Sequence, residues 1–491
     1  MPPDGLGKVG AAHPSGVRRL DAVVVGAGPN GLAAAITLAR EGFAVHVVEA
    51  SDRVGGGCRT AELTLPGFRH DVCSTVHALA AVSPFMNSLD LRALGVEWVH
   101  PDAPLAHAFP DRPAVIVEQD LSSTAAGLGP DGHRYTRVLG PLVHARQAFA
   151  ESVLGPLLRV PRHPVFLAGF GSLAALPASI LARLFTAPAT RALIAGTAAH
   201  STAALSQPFT GAAALMMLGT AHQVGWPVAR GGSQVLADGL AARLGELGGT
   251  IETGRMVRRM ADLPDARAYL FDVSPWQLAR ICSGDLPGDY LRSLRRYRRG
   301  PGIFKLDYAL SGPIPWRDPA CLRAGTVHVG GPFAEVAASE AAVAEGRLPE
   351  RPFLIVVQPS LFDSTRAPEG RHVAWVYGHV PNGFNLDITE RIEARLEEHA
   401  PGFRDLVLAR HVTSSADIER YNPNCAGGDI AGGRNSVMQI IFRPVPRLSP
   451  YTTPNPRIFL CSSSTPPGGG VHGMCGYHAA KAVLRRLSPA R

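Results

Sequence analysis

The chain has 491 residues, of which 46% are hydrophobic and 18% are charged, so it carries enough apolar surface to offset the entropy of folding. This composition excludes wholesale disorder, and the glycines follow no G-X-Y period that would indicate a fibre. The length predicts roughly three domain-sized units.

The net charge of +8 does not indicate a nucleic-acid-binding protein, because the basic residues are spread along the chain. The three lysines are Lys8, Lys305 and Lys481, so arginine supplies nearly all of the positive charge. The one dense run covers residues 292–299. It is typical of a solvated helix face, with contact to a membrane or an acidic carrier as the alternatives.

The seven cysteines are odd in number and include no C-x-x-C pair, which argues against a disulfide framework or a zinc cluster. A reducing compartment follows. Residues 1–19 are rich in glycine and proline, lack the apolar core of a signal peptide, and are predicted to form a disordered tail. We expect a cytoplasmic protein, and peripheral contact with a membrane stays open.

The segment LDAVVVGAGPNGLAAAITLAREGFAVHVVEA predicts a strand over 22–25, a helix over 31–41 and a second strand over 44–48. Gly26 allows the tight turn after the first strand, Gly28 lets the backbone approach a diphosphate, and Gly31 lets the helix pack closely on the strand. The helix N-terminus favours the anion. Glu49 follows the second strand, where a carboxylate can accept hydrogen bonds from a ribose. Together these features predict a dinucleotide site.

Two more glycine-rich stretches fit a long cofactor lying across one sheet. A cluster at Gly55, Gly56 and Gly57, followed by Arg59, would pass close to the same diphosphate and supply a cation. Near the other end of the chain, a strand over 458–461 leads through a glycine loop over 468–473 into a helix over 476–487.

The predicted fold class is α/β, with a discontinuous Rossmann-like domain of the glutathione-reductase type and an inserted mixed α+β substrate domain. Residues 20–75, 226–282 and 452–491 form the dinucleotide domain. Residues 76–225, expected to be helical, and residues 283–451, with strands such as 303–310, form the substrate or cap domain.

These stretches resemble the phytoene desaturase and carotenoid isomerase superfamily of FAD-dependent oxidoreductases. The nearest likeness is to the branch that contains pyridine nucleotide-disulfide oxidoreductase domain-containing protein 2. The resemblance covers nearly the whole chain after residue 20 and is carried by blocks that include VVVGAGPNGLAAA, EASDRVGGGCRT, ARGGSQVLADGLA and FLCSSSTPPGGGVHGMCGYHAA.

The resemblance implies FAD as the cofactor and a set of residues around it. These are Gly26, Gly28, Pro29, Asn30, Gly31, Glu49, Ala50, Gly56, Gly57, Arg59, Thr60, Val257, Ser463, Ser464, Gly469, Gly470, Val471, His472, Gly473 and Met474. Residues 469–474 would lie beside the isoalloxazine ring, and Ser463 or Ser464 near the ribityl chain. Many relatives have a Gly-Asp or Gly-Ser pair where this chain has serines.

Two histidines are candidate proton acceptors for a flavin dehydrogenase, His472 in the C-terminal loop and His77 after the first glycine cluster. Each has an alternative interpretation: His472 shapes its loop, and His77 is a packed polar residue. Lys305 could act as the lysine of flavin amine oxidases, but a sheet lysine beside Asp307 explains it more simply. Met216, Met217 and Trp226 could line a substrate tunnel or belong to ordinary core.

The predicted function is FAD-dependent desaturation or isomerisation of a small hydrophobic substrate, polyenes included, by hydride transfer to flavin. The sequence does not identify the electron acceptor; oxygen, a quinone or another carrier are the alternatives. A flavin amine or amino-acid oxidase is the second hypothesis, and a non-catalytic flavin-binding scaffold is the third. No metal site and no nucleic-acid partner are expected.

Overall fold

A computed structural model describes residues 20–157 and 160–487, so the predicted tail over 1–19 lies outside the described residues. The strands are β1 Leu20–Val25, β2 Val45–Val48, β3 Thr60–Ala61, β4 His70–Asp71, β5 Trp98–Val99, β6 Ala103–Ala108, β7 Val115–Val117, β8 Val228–Ala229, β9 Thr250–Glu252, β10 Ala266–Phe271, β11 Gly302–Leu310, β12 Ala324–Val329, β13 Leu354–Val357, β14 His372–Val380, β15 Val407–Thr413 and β16 Ile458–Leu460.

The α-helices are α1 Pro29–Arg40, α2 Ala78–Val82, α3 Pro84–Asn87, α4 Leu121–Gly127, α5 Gly132–His144, α6 Arg146–Val153, α7 Pro164–Ala174, α8 Ala178–Leu181, α9 Pro188–Ala199, α10 Thr210–Val224, α11 Gln234–Glu246, α12 Pro275–Ile281, α13 Gly288–Arg295, α14 Phe333–Ala344, α15 Thr389–His399, α16 Ser415–Tyr421, α17 Val437–Phe442 and α18 Met474–Leu487.

The first sheet is parallel, with strand order β16-β10-β1-β2-β9. Helices cover both of its faces, which is why its strands read as continuous apolar runs. Val24 packs into a core with helices α1, α11 and α18, whereas Val23 and Val25 pack against α12 and α13 on the opposite face. This doubly covered parallel sheet confirms the predicted Rossmann-like α/β fold.

The two ends of the described chain meet at helix α1. A Cβ atom at Gly31 would lie 2.0 Å from the carbonyl oxygen of Gly26, and one at Gly476 would lie 1.8 Å from that of Asn30. Both positions therefore require glycine, since any side chain would overlap backbone. Gly31 seats α1 on the first turn, as the sequence predicted, and Gly476 seats α18 against α1.

The second sheet has strand order β15-β11-β14-β13-β12-β6-β7 and is antiparallel except between β12 and β6. The stretch over 76–225, expected to be helical, supplies β6 and β7 to this sheet. All six residues of β6, APLAHA, are buried, so the strand shows no alternation of apolar and polar residues that would reveal it. All strands of the parallel sheet come from the residues predicted to form the dinucleotide domain, and all strands of the second sheet come from those predicted to form the cap. The division into domains itself stays a prediction.

Within the described ranges, no single helix is long and apolar enough to cross a bilayer. One pair of helical segments reaches the length and composition needed to cross a bilayer, but only when the two are taken together: Pro164–Ala174 and Ala178–Leu184, with a 92° bend between them. All seven cysteines lie in the described ranges and are free thiols.

Lys305 and Asp307 lie two residues apart on β11 and form a fully buried ion pair. Asp307 also lies 3.6 Å from the ring nitrogen Nδ1 of His70, and the Lys305 ammonium lies 5.7 Å from the centre of the Trp375 ring. Burial raises the pKa of Asp307, and the Lys305 charge opposes that shift. A buried carboxylate that loses its partner is strongly destabilising.

We therefore expect Lys305→Met to lower the free energy of unfolding by about 3–5 kcal/mol, measured by urea denaturation. Lys305→Met combined with Asp307→Asn should recover much of the loss, because no buried charge then lacks a partner. Lys481→Met is the control, since Lys481 pairs with Glu41 at the surface and should cost less than about 1 kcal/mol. Equal losses for the two lysines would contradict this account.

Candidate functional site: one cavity at the edge of the parallel sheet

A cavity of about 820 Å³ opens where strands β1, β2 and β10 end at the carboxyl edge of the parallel sheet. Gly26, Glu49 and Asp272, the residues that follow these strands, all line it. Ligands of open α/β sheets bind at this edge, and the volume lies within the range typical of ligand pockets.

The first glycine turn forms one wall of the cavity. Gly28 is the N-cap of α1, Pro29 begins the helix, and both line the cavity together with Asn30. The Asn30 side chain is buried, and its oxygen Oδ1 has no partner among the described residues. The helix N-terminus, with its free backbone N–H groups, fits the diphosphate of a dinucleotide. The Asn30 oxygen can only accept a hydrogen bond, so it fits a donor such as a hydroxyl group of the same molecule.

Glu49 is held rigidly beside this turn. Its oxygen Oε2 accepts a hydrogen bond from the Ala27 backbone N–H at 2.7 Å, and Oε1 accepts one from the Ser51 N–H at 2.9 Å. Arg59 lies 3.5 Å from Oε1 and donates to the Ser51 hydroxyl and to two backbone carbonyls. The carboxylate is thus positioned at the cavity wall before any ribose binds.

The second glycine cluster touches the first. A Cβ atom on Gly56, whose φ is +54°, would lie 3.1 Å from the Cα atom of Gly28. No side chain fits between these two backbones, which together form a narrow cradle of main chain. Such a cradle allows a phosphate to contact backbone directly.

The C-terminal glycine loop forms another wall of the cavity. Residues 469–472 line it, and the Ser83 hydroxyl ties the loop down by donating to the carbonyl oxygen of His472 at 2.6 Å. The loop leads directly into α18, whose N-terminus favours negative charge in its vicinity.

Most of the predicted cofactor residues come together in this one cavity. Its lining includes Gly26, Gly28, Pro29, Asn30, Glu49, Ala50, Gly56, Gly57, Arg59, Val257, Ser463, Ser464, Gly469, Gly470, Val471 and His472. The lining does not include Gly31, Thr60, Gly473 or Met474. Gly31 seats the helix, and the Thr60 hydroxyl bonds Asp71, so these residues support the wall from behind.

His472 uses both ring nitrogens inside its own loop. Nδ1 accepts a hydrogen bond from the Met474 backbone N–H at 3.0 Å, so Nε2 carries the proton and donates to the Gly468 carbonyl at 3.2 Å. Burial lowers the pKa of His472 to about 4. The ring is therefore neutral and holds the loop in shape through these two hydrogen bonds. The contacts favour the loop-shaping interpretation over proton transfer.

His77 lies behind the cavity wall and is not part of its lining. Its Nε2 pairs with the Ser233 hydroxyl at 2.9 Å, its ring lies against Trp98, and burial lowers its pKa to about 4. The structure thus offers this histidine no direct contact with a bound molecule, in agreement with the alternative of a packed polar residue.

Sequence reasoning missed several residues of the lining, of which Asp272 and Arg443 are the most informative. Asp272 accepts a hydrogen bond from the Gly31 N–H at 2.9 Å, at the N-terminus of α1. Its position directly after strand β10 matches that of Glu49 after β2, and that signal was readable. Arg443 is buried, lines the cavity and donates to the side-chain oxygen of Asn435 at 2.8 Å. It begins the block RPVP over 443–446, which also resembles the family, but no role in the site was predicted for it.

Beyond the glycine loops the cavity continues into an apolar chamber. Met216, Met217 and Trp226 line it, as the tunnel interpretation required, together with Phe170 and Tyr377. Lys305 is not part of the lining. Its ammonium is held by Asp307, so the simpler explanation of this lysine agrees with its contacts.

Comparisons with known proteins indicate the class of protein to which this chain is similar. A family model described as an NAD(P)-binding Rossmann-like domain matches residues 24–89. Pyridine nucleotide-disulfide oxidoreductase domain-containing protein 2 of Mus musculus is 26% identical over 554 aligned positions, which cover 95% of this chain and 94% of that protein. A limonene dehydrogenase component of Castellaniella defragrans is 35% identical over 114 positions, 23% of this chain and 20% of that protein.

Among solved structures, a redesigned putrescine oxidase is similar over 95% of this chain and 99% of its own, with a TM-score of 0.61 and 18% identity. These matches support an oxidoreductase of the FAD/NAD superfamily. At 18% identity the putrescine oxidase structure bears on the fold alone, and the resemblance of this chain to phytoene desaturases stays a prediction.

If this cradle binds the predicted FAD, we expect Gly28→Val to abolish its retention, measured as flavin released per protein on denaturation. The φ of Gly28 is −73°, so valine is sterically allowed in the backbone. Its Cβ atom, however, would lie 3.0 Å from Asp272 Oδ2 and enter the cradle. Gly284→Val is the control, because nothing lies within 4 Å of its Cβ position. Full flavin content in Gly28→Val would contradict the cradle assignment.

Asp272 predicts a pH dependence of the apoprotein. Burial raises the pKa of this carboxyl to about 7, the Gly31 N–H opposes the shift, and the Glu49 charge adds to it. Between about pH 4 and pH 7 the unfolded chain loses this proton while the folded chain keeps it, so stability falls as pH rises.

Asp272→Asn should therefore gain stability relative to wild type by up to a few kcal/mol as the pH rises from about 4 to about 7, and no further above that. The measurement is thermal unfolding of apoprotein across this range, with Asp52→Asn, an exposed acid, as control. A difference between Asp272→Asn and wild type that does not change with pH would refute the assignment.

Proposed function

We propose that this chain is an FAD-dependent oxidoreductase that dehydrogenates or isomerises a small hydrophobic substrate. One observation carries the proposal: a single cavity joins the dinucleotide turn at Gly28, the C-terminal loop over 469–472 and an apolar chamber beside Trp226. A cofactor held by the first two would present its reactive end to a molecule in the third.

The residues present fit FAD. Glu49 would hold the adenosine ribose, the N-terminus of α1 the diphosphate, and residues 469–472 the ring system. When bound, FAD supplies hydride acceptance. The chain contributes positioning, exclusion of water by the apolar chamber, and a helix N-terminus at α18 that stabilises negative charge near the ring.

The limonene dehydrogenase match over 114 positions is consistent with an apolar substrate. Oxygen or a quinone is the proposed electron acceptor, and a cytoplasmic location is proposed with it. Since the ring of His472 is held inside its loop, proton loss from the substrate would go to solvent or to another group.

A flavin amine oxidase is the second candidate, favoured by a match to putrescine oxidase of Kocuria rosea, 36% identical over 117 residues, and by the aromatic pair Trp375 and Tyr377 at the cavity wall. These rings lie 4.8 Å apart at 76° and could contact an amine. Against it, the cavity lining offers no lysine.

The purified protein should be yellow and release FAD on denaturation. Under anaerobic conditions, apolar unsaturated compounds should bleach the flavin, whereas amines should not and should yield no hydrogen peroxide in air. Stoichiometric peroxide from an amine would replace the first candidate by the second. A colourless protein that cannot be reconstituted with FAD would refute both.

A further inference from the structure

The cap end of the cavity has a polar wall inside an otherwise apolar chamber. We call His200, Ser201, Thr326 and Trp375 the cap-end wall; all four line the cavity. His200 and Ser201 directly follow helix α9, Thr326 lies on β12 and Trp375 on β14. Because β13 separates β12 from β14, Thr326 and Trp375 lie two strands apart, about 10 Å.

Three members of the cap-end wall have polar atoms without a partner among the described residues. These are the Ser201 hydroxyl, the Thr326 hydroxyl and the Trp375 indole nitrogen. The residues are only 8%, 2% and 8% exposed, so bulk solvent does not compensate them. A buried polar group without a partner destabilises the fold, and native structures keep few of them. The indole N–H can only donate, so the missing partner is an acceptor.

His200 adds a fourth group to the wall. Its Nε2 lies 2.9 Å from Nε2 of His328, a contact in which one of the two nitrogens carries the proton. The other nitrogen of His328, Nδ1, is buried without a partner among the described residues, beside Gly196. A buried N–H without a partner costs more free energy than a buried acceptor without one, so Nδ1 of His328 carries no proton. The proton of His328 is therefore on Nε2, which donates to Nε2 of His200. Since Nε2 of His200 accepts, the proton of His200 is on Nδ1, which is a further donor.

The cap-end wall is uncharged. Burial lowers the pKa of His200 to about 3 and that of His328 well below its usual range, so both rings are neutral at physiological pH. Lys305 lies 5.7 Å from the centre of the Trp375 ring, outside the cavity lining, and is paired with Asp307. An ammonium or a carboxylate would find no opposite charge on this wall.

Backbone strain marks the same region. Within the described ranges, two residues other than glycine have positive φ, Thr202 at +50° and Phe209 at +67°. Both line the cavity, and Thr202 directly follows the cap-end wall. Strained residues of this kind concentrate at ligand sites, where the surrounding structure holds them in place.

We propose that the cap-end wall binds an uncharged acceptor oxygen, a carbonyl or hydroxyl group, on an otherwise apolar substrate. The inference rests on the proposed function and narrows its substrate class from any hydrophobic molecule to an oxygenated one. The hydrogen bonds would also fix which end of the substrate points away from the glycine loops.

The test is calorimetric titration of the holoprotein with four compounds of similar size: acetophenone, ethylbenzene, benzoate and benzylamine. Because ethylbenzene lacks only the oxygen, the ratio of its dissociation constant to that of acetophenone isolates the oxygen contact. We expect acetophenone to bind about tenfold more tightly than ethylbenzene, and both charged compounds to bind more weakly than acetophenone.

Thr326→Val and His200→Phe should each reduce this ratio several-fold while leaving the affinity for ethylbenzene unchanged. Because Thr326→Val keeps the shape of the side chain, it still tests the proposal if His200→Phe does not fold. Thr136→Val, at an exposed residue on α5, is the matched control and should keep the wild-type ratio.

A wild-type ratio near one, tighter binding of benzylamine or benzoate, or a ratio unchanged in both cavity variants would overturn the proposal. The binding ratio and the flavin content are measured separately on the same holoprotein. The subsite is judged by the binding ratio, whereas the proposed function is judged by bound FAD and its reduction.

Discussion

The close approach of helix α18 to helix α1 is the contact on which the rest of the molecule depends. A Cβ atom at Gly476 would overlap the carbonyl oxygen of Asn30, so the helices touch through backbone. This contact brings the C-terminal glycine loop to the same cavity as the first glycine turn, although they are more than four hundred residues apart in sequence. Without it, the cavity at the edge of the parallel sheet would lack the wall that residues 469–472 provide.

The cavity differs in character from one end to the other. Near the sheet it is lined by charged groups, Glu49, Arg59, Asp272 and Arg443, which suit a cofactor with a diphosphate and hydroxyl groups. Toward the second sheet the cap-end wall is neutral, and its Ser201, Thr326 and Trp375 groups lack partners among the described residues. Near the sheet the buried charges are partly compensated, because Arg59 lies 3.5 Å from Glu49.

The parts of the fold that could be predicted are those with strong local signals. The valine run of β1, the glycine turn and helix α1 follow a pattern that packing reinforces, and their observed bounds differ from the predicted ones by two residues at most. Strand β6 was missed because it is buried along its whole length and contains alanine and proline. Its place beside β12 comes from sheet pairing between distant segments.

Sequence by itself determined the glycine turn after β1, the carboxylate at Glu49 and the glycine loop before α18. The conformations that these glycines allow, and the place of an acid at the end of a strand, depend on local backbone geometry and can be read from neighbouring residues. Only the tertiary structure decided that His472 is neutral and holds its loop in shape, that His77 lies behind the wall and that Asp272 reaches the N-terminus of α1. It also decided that His200 and Thr326 share one wall. The role of a histidine or a hydroxyl depends on its partners and burial, and packing between distant segments sets both.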